Sequence, residues 1–227
     1  MSFYDLGNDP NSPVATVDAA FVWAIEDSRG AYIANVDFVT FGIWGAEFRT
    51  ALPGGATETI RMSFTVRGSS PTLSVGAQAP ASKTPTLADV GGDVAKLSTD
   101  RDPIKGLYEI SVEAAVTEGR PFLLAFATPK FCASAQCGPT LDRIKPFLAA
   151  YPGVTFINVE PYALELVDGQ LQPVLTSGQL TPVPSVLEWG LVSEPWTFVV
   201  DGDGVIRGSF EGIVRDEELK AALDAVS

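Results

Sequence analysis

The chain has no histidine among its 227 residues, and only two cysteines and two methionines. Without an imidazole there is no Ser-His-Asp triad, no Cys-His nucleophile and no histidine-ligated zinc or haem. Two thiols cannot complete a four-cysteine zinc or iron–sulfur site. Positive charge is scarce as well: Lys and Arg total 15 against 28 Asp and Glu, a net charge of −13. That balance argues against a nucleic-acid partner, which selects for a basic face. No apolar run approaches the ~20 residues that a membrane-spanning helix needs, so no transmembrane segment is expected. The start, Met1 to Pro10, lacks a basic stretch followed by an apolar one, so no signal peptide is expected within this chain. What remains open is thiol chemistry, carboxylate chemistry, or no chemistry.

What is present is an ordinary globular composition, 46% hydrophobic and 19% charged, which sets it apart from disordered chains. Three regions differ in pattern. Residues 1–70 read as a small β-sandwich-like module. Apolar and aromatic residues come in short runs, Ala20 to Trp23, Ala31 to Phe38, Gly45 to Arg49 and Thr59 to Val66. Asp27-Ser28-Arg29-Gly30 and Pro53-Gly54-Gly55 serve as turns. About 70 residues is short for a sandwich, which usually takes ~100, so the module reads as incomplete or atypical. Residues 71–105 are rich in Ser, Thr, Pro, Gly and Ala and read as a stiffened linker that wraps one of the modules. Residues 106–227 read as α-β-α-β-α-β-β-α, a mixed sheet flanked by helices. Ser111 caps the first helix and Gly119 stops it. The apolar run from Pro121 to Ala127 suits a buried central strand. A helix follows over 138–151, with Pro146 inside it and expected to kink it.

The two thiols, Cys132 and Cys137, fall between that strand and that helix. A helix N-terminus stabilises a thiolate. Residues five apart on a continuous helix lie about 7.5 Å apart along the axis and roughly 140° out of phase. That exceeds the ~7 Å Cα limit for a disulfide. If the pair bridges, Cys132 must sit on a loop folded back onto the first helical turn. The pair reads as redox-active; a purely structural bridge and two inert thiols are the plainer alternatives.

The region 106–227 resembles the thioredoxin superfamily, most closely its extracytoplasmic thiol-disulfide oxidoreductase-like members. Six landmarks carry the likeness: the strand ending Phe126-Ala127, the turn Cys137-Gly138-Pro139, Pro146, the stretch Trp189 to Pro195, the hairpin over 196–210 with its Asp-Gly turn, and Phe210-Glu211-Gly212. Residues 30–45 resemble a fragment of a bacterial immunoglobulin-like module. The likeness implies an α/β thioredoxin-like fold and thiol–disulfide exchange with protein thiols and disulfides. It implies Cys132, Cys137 and a cis Pro195 facing them as the working residues, with no cofactor and no metal. Cys132 would attack and Cys137 resolve, or the reverse. It implies an oxidising, extracytoplasmic setting, periplasm or cell surface, with room for membrane anchoring upstream of this chain.

Two departures stand out. The family spaces its cysteines Cys-x-x-Cys, whereas four residues intervene here. The acid that thioredoxins bury in the central strand is replaced by Ala125. Glu160 and Glu194 are the candidates to take over proton transfer, although the simpler reading of both is an exposed loop carboxylate. The turn also resembles one-chain two-cysteine peroxiredoxins, whose Thr-Pro-x-Cys is matched with one extra residue at Thr128-Pro129-Lys130-Phe131-Cys132; Glu194-Pro195-Trp196 stands where that family commonly carries an arginine. A non-catalytic binding protein with a structural disulfide is the other alternative. Copper-carrying relatives use a histidine, which this chain lacks. Phe131, Trp189 and Trp196 read either as an apolar rim near the thiols or as core aromatics, core being the simpler reading for Trp189. Asp201-Gly202-Asp203-Gly204 reads as a hairpin turn, and residues 164–172 as an inserted hairpin.

Overall fold

A computed structural model of the chain describes residues 1–227 apart from Glu26, Leu52 and Pro53, and only the backbone of Ala24. The chain divides into two compact units, Met1–Ser70 and Pro71–Ser227. The architecture is mixed α/β, with several sheets and, among the described residues, four α-helices.

The first unit contains β1 (Ser2–Asp5), β2 (Ala15–Thr16), β3 (Ala20–Ile25), β4 (Arg29–Ile33), β5 (Gly42–Ala51) and β6 (Thr57–Val66). Four of them form an antiparallel sheet in the order β2-β1-β5-β6, and β3 and β4 pair separately as a hairpin. β5 and β6 pair along their full lengths, Gly42 opposite Val66 and Ala51 opposite Thr57. Gly54 and Gly55 turn the chain between them at φ of 98° and 85°, a region open to glycine; Pro53 of the expected turn lies outside the described residues. The strand expected over 31–38 ends at Ile33, and Phe38 instead packs edge-on against Phe3 and Trp44 at 5.7 and 4.9 Å. The core is small: Phe3, Trp44 and Ala46 are buried, with Phe38 and Phe64 packed against them.

The second unit contains α1 (Val112–Thr117), β7 (Phe122–Phe126), α2 (Cys137–Ala150), β8 (Thr155–Val159), β9 (Leu164–Val167), β10 (Gln170–Pro173), β11 (Leu175–Thr176), β12 (Gln179–Leu180), α3 (Pro184–Glu188), β13 (Trp196–Val200), β14 (Ile206–Glu211) and α4 (Asp216–Asp224). Its main sheet runs β14-β13-β7-β8. β7 and β8 are parallel, whereas β13 is antiparallel to both β7 and β14. Every residue of β7 is buried because both faces are covered. Leu123 and Ala125 pack with Leu141, Ile144, Leu219 and Leu223 of α2 and α4. Phe122, Leu124 and Phe126 pack on the other face with Val112, Val186, Trp189 and Phe198. Fully burying each of these large side chains contributes about 1.5–3 kcal/mol. The Ser111 hydroxyl accepts the Ala114 N–H at 3.1 Å and caps α1. α2 runs unbroken through Pro146.

Residues 71–105 lie within this second unit. The Thr72 hydroxyl donates to the Gly190 carbonyl at 2.9 Å, and Gln78 bridges to Val205. Gly190, at φ 67°, lies so close to this segment that an added Cβ would fall 1.9 Å from the Pro71 carbonyl oxygen. Further on, Lys145 of α2 pairs with Asp100 at 2.8 Å.

Candidate functional site

At the carboxyl end of β7 the chain leaves the sheet through a loop that returns to the start of α2. Phe131 N–H donates to the Thr128 carbonyl at 3.2 Å, and Ala135 N–H to the Cys132 carbonyl at 3.3 Å. Ala135 takes a left-handed conformation, φ 60°, as the loop folds back. Cys132 therefore lies on the loop and Cys137 on the first turn of the helix. They form a disulfide with their Cα atoms 6.0 Å apart, the fold-back that the five-residue spacing requires of a bridge.

The two sulfurs differ in surroundings. Cys137 is wholly buried among Ala127, Leu141 and their neighbours, whereas Cys132 is half-buried. The Cys137 backbone N–H, one of the amides the helix leaves without an internal acceptor, points at Cys132 Sγ at 3.3 Å. The positive end of the α2 dipole thus falls on the more accessible sulfur.

The segment before β13 closes over the loop. Glu194 joins the buried Pro195 through a cis peptide bond. The Glu194 carboxylate accepts the Ala133 N–H at 3.1 Å and the Tyr162 hydroxyl at 2.6 Å. The Glu194 carbonyl accepts the Ser134 hydroxyl at 3.2 Å, and Ser134 Oγ lies 3.3 Å from Cys132 Sγ. Burial, and then the facing Glu194 carboxylate, push the Tyr162 phenol up. The Pro195 carbonyl accepts the Gly212 N–H at 2.8 Å, which ties the same segment to the end of β14. The structure therefore unites Cys132 and Cys137 directly, and binds their loop to the residue preceding Pro195.

Glu160 departs from the simpler sequence reading. It is only 9% exposed, at the end of β8, where Thr99 donates to it through its N–H at 2.6 Å and its hydroxyl at 2.7 Å. Burial pushes its carboxyl up, against the opposing pull of Thr128 and Thr99. Its other oxygen, Oε2, and the Thr128 hydroxyl are buried without a well-formed hydrogen bond. Lys130 N–H donates to the Thr99 hydroxyl at 3.2 Å, so the acid is joined through Thr99 to the start of the cysteine loop. Nearby, Asn158 donates to the Tyr108 hydroxyl at 2.9 Å, and burial pushes that phenol up to about 12.

Of the aromatics, Trp189 is fully buried and belongs to the core, against Phe198 at 4.6 Å. Trp196 and Phe131 are half-buried. Asp201 serves its own turn, accepting the N–H groups of Asp203 and Val205. Sequence reasoning missed Ser134, Tyr162 and Thr99. Ser134 carries a local signal, a hydroxyl between two cysteines; Tyr162 and Thr99 carry none, since only tertiary structure brings them to the loop. Among the described residues, no three His, Cys, Asp or Glu side chains cluster as a metal ion would need, and no helix is long and apolar enough to cross a membrane. No known family model, curated protein or solved structure matches the chain.

Proposed function

We propose that the second unit is a thioredoxin-like domain that exchanges thiols and disulfides with protein partners, using Cys132 as the attacking sulfur and Cys137 as the resolving one. The observation that carries this reading is the asymmetry of the pair. The half-buried sulfur receives an N–H from the start of α2, while the other is sealed in the core. A thiolate at Cys132 gains charge stabilisation there and stays within reach of a substrate. The strand order β14-β13-β7-β8, with β7–β8 as its one parallel pairing, supports the thioredoxin-like reading. So does the cysteine loop at the carboxyl end of the central strand, where open α/β sheets hold their sites.

In the reduced protein, the Cys132 thiolate attacks one sulfur of a substrate disulfide. The substrate's other sulfur leaves with the electron pair and takes a proton. Cys137 loses its proton and attacks Cys132 Sγ in the mixed disulfide, and the second substrate sulfur leaves as a thiol. Two electrons pass to the substrate, and the Cys132–Cys137 bond remains. In this reading the buried Pro195, next to the Glu194 that binds the cysteine loop, shapes the groove that receives the partner. Such a pair suits an oxidising, extracytoplasmic setting, and we read the first unit as an accompanying immunoglobulin-like module.

The test is the reduction of a protein disulfide by a small dithiol with and without the protein. Acceleration that disappears in Cys132→Ser supports the reading. No acceleration by the wild type reduces the bridge to a structural clip.

A further inference from the structure

The Ser134 hydroxyl occupies a position that the exchange reaction itself does not explain. It lies 3.3 Å from Cys132 Sγ and 3.2 Å from the Glu194 carbonyl oxygen, and it accepts the Gln136 N–H at 3.3 Å. A serine hydroxyl has one hydrogen to donate. The Glu194 carbonyl and Cys132 Sγ both compete for it, and the chemical state of the bridge decides between these two. A disulfide sulfur is a weak acceptor, so in the oxidised protein the hydrogen belongs to the Glu194 carbonyl. A thiolate at the same sulfur carries a full charge, and hydrogen bonds to charged acceptors are roughly twice as strong as neutral ones.

We propose that Ser134 is a redox-switched donor: on reduction its hydrogen turns from the Glu194 carbonyl to the Cys132 thiolate, holding that sulfur ionised and leaving the Ala133 N–H as the tie between the cysteine loop and Glu194. The inference rests on the thiol-exchange reading above and extends it to the control of that site. A dithiol gives up two electrons and two protons and becomes a disulfide, and the Cys132–Cys137 bond breaks. One proton ends on Cys137, the other passes to solvent, and Cys132 keeps its electron pair as a thiolate. Ser134 donates a hydrogen bond in both states and gains or loses no proton. Two donors then serve Cys132, the Cys137 N–H from the helix and the Ser134 hydroxyl from the loop. The first is backbone and survives Cys137→Ser; the second is open to mutation.

The experiment compares the wild type with Ser134→Ala and Ser134→Thr, each with Cys137→Ser so that a single thiol is read. Iodoacetamide alkylation is followed against pH, with circular dichroism to verify the fold. Ser134→Ala is expected to raise the pH at which Cys132 becomes reactive and to slow alkylation at neutral pH about threefold or more. Ser134→Thr, which keeps the hydroxyl, is expected to titrate close to the parent. Coincident titration curves for the parent and Ser134→Ala overturn the switch. If the parent still forms a mixed disulfide with a peptide disulfide, the exchange reading survives that failure. If the parent forms none, the reading and the inference both fall. Equal slowing in both Ser134 variants also overturns the proposal, because it points to loop packing rather than the hydroxyl.

Discussion

Among the described residues each unit buries one glutamate, and the two carboxyls shift in opposite directions although burial pushes both up. In the first unit Glu47, 5% exposed, accepts Arg61 and Arg49 at 2.7 Å each, and those guanidinium groups hold its carboxyl below the ordinary value of 4.5. In the second, Glu160 accepts the N–H and hydroxyl of Thr99, and burial raises its carboxyl above the same value. The difference follows from the sheets. β5 and β6 leave Ile43 59% and Met62 57% exposed, so the long arginines of that sheet stay in water and reach in to Glu47. β7 and β8 are covered on both faces, and Glu160 has no cation partner among the described residues. A surface-supported acid is held charged, while an interior one drifts toward its neutral form.

The largest expected effect contrasts the two sheets. Phe198→Ala, in a side chain with no exposure, should cost about 3–5 kcal/mol in urea unfolding. Met62→Ala, on the open sheet, should cost less than about 1 kcal/mol. Similar costs would break the comparison. Next comes Gly190→Ala. Its left-handed φ and its approach to the Pro71 carbonyl should make the change cost more than about 2 kcal/mol. A neutral result would mean that Pro71 does not pack against Gly190. Reducing the bridge, which closes a loop of only a few residues, should cost about 2 kcal/mol by chain entropy, read as the difference between oxidised and reduced urea midpoints.

The smallest effect sharpens the glutamate contrast. The Glu47 contribution is present above 4.5, the unfolded value, and is lost as pH falls through its lower folded value. The Glu160 contribution has the opposite sign: it is full below 4.5 and lost as pH rises through its raised folded value. Glu47→Gln should therefore flatten the acid side of the stability profile, and Glu160→Gln should remove a loss of stability on the way to neutral pH. Equal profiles for the two variants would contradict the assigned partners.

What the sequence made readable was local. The β7 run, the Ser111 cap and the fold-back of Cys132 each depend on residues within a few positions of one another. β1 and β2 were missed, because Phe3 becomes a strand residue only by pairing with Ala46. Glu160 was read as exposed, because its partner Thr99 lies 61 positions away. The same distance hid Glu194, which reaches back to Ala133 over the cysteine loop. Patterning reports periodicity and caps, whereas the environment of a single carboxylate is set by segments that the pattern does not connect.

The central claim is that Cys132 is the attacking sulfur. The most direct measurement is the trapping of a peptide disulfide by the two single-cysteine variants, read by mass spectrometry on non-reduced protein. Cys137→Ser should form the mixed disulfide through Cys132, and Cys132→Ser, whose remaining thiol has no exposed surface, should form almost none. Equal trapping by both variants, or trapping by Cys132→Ser alone, would contradict the account.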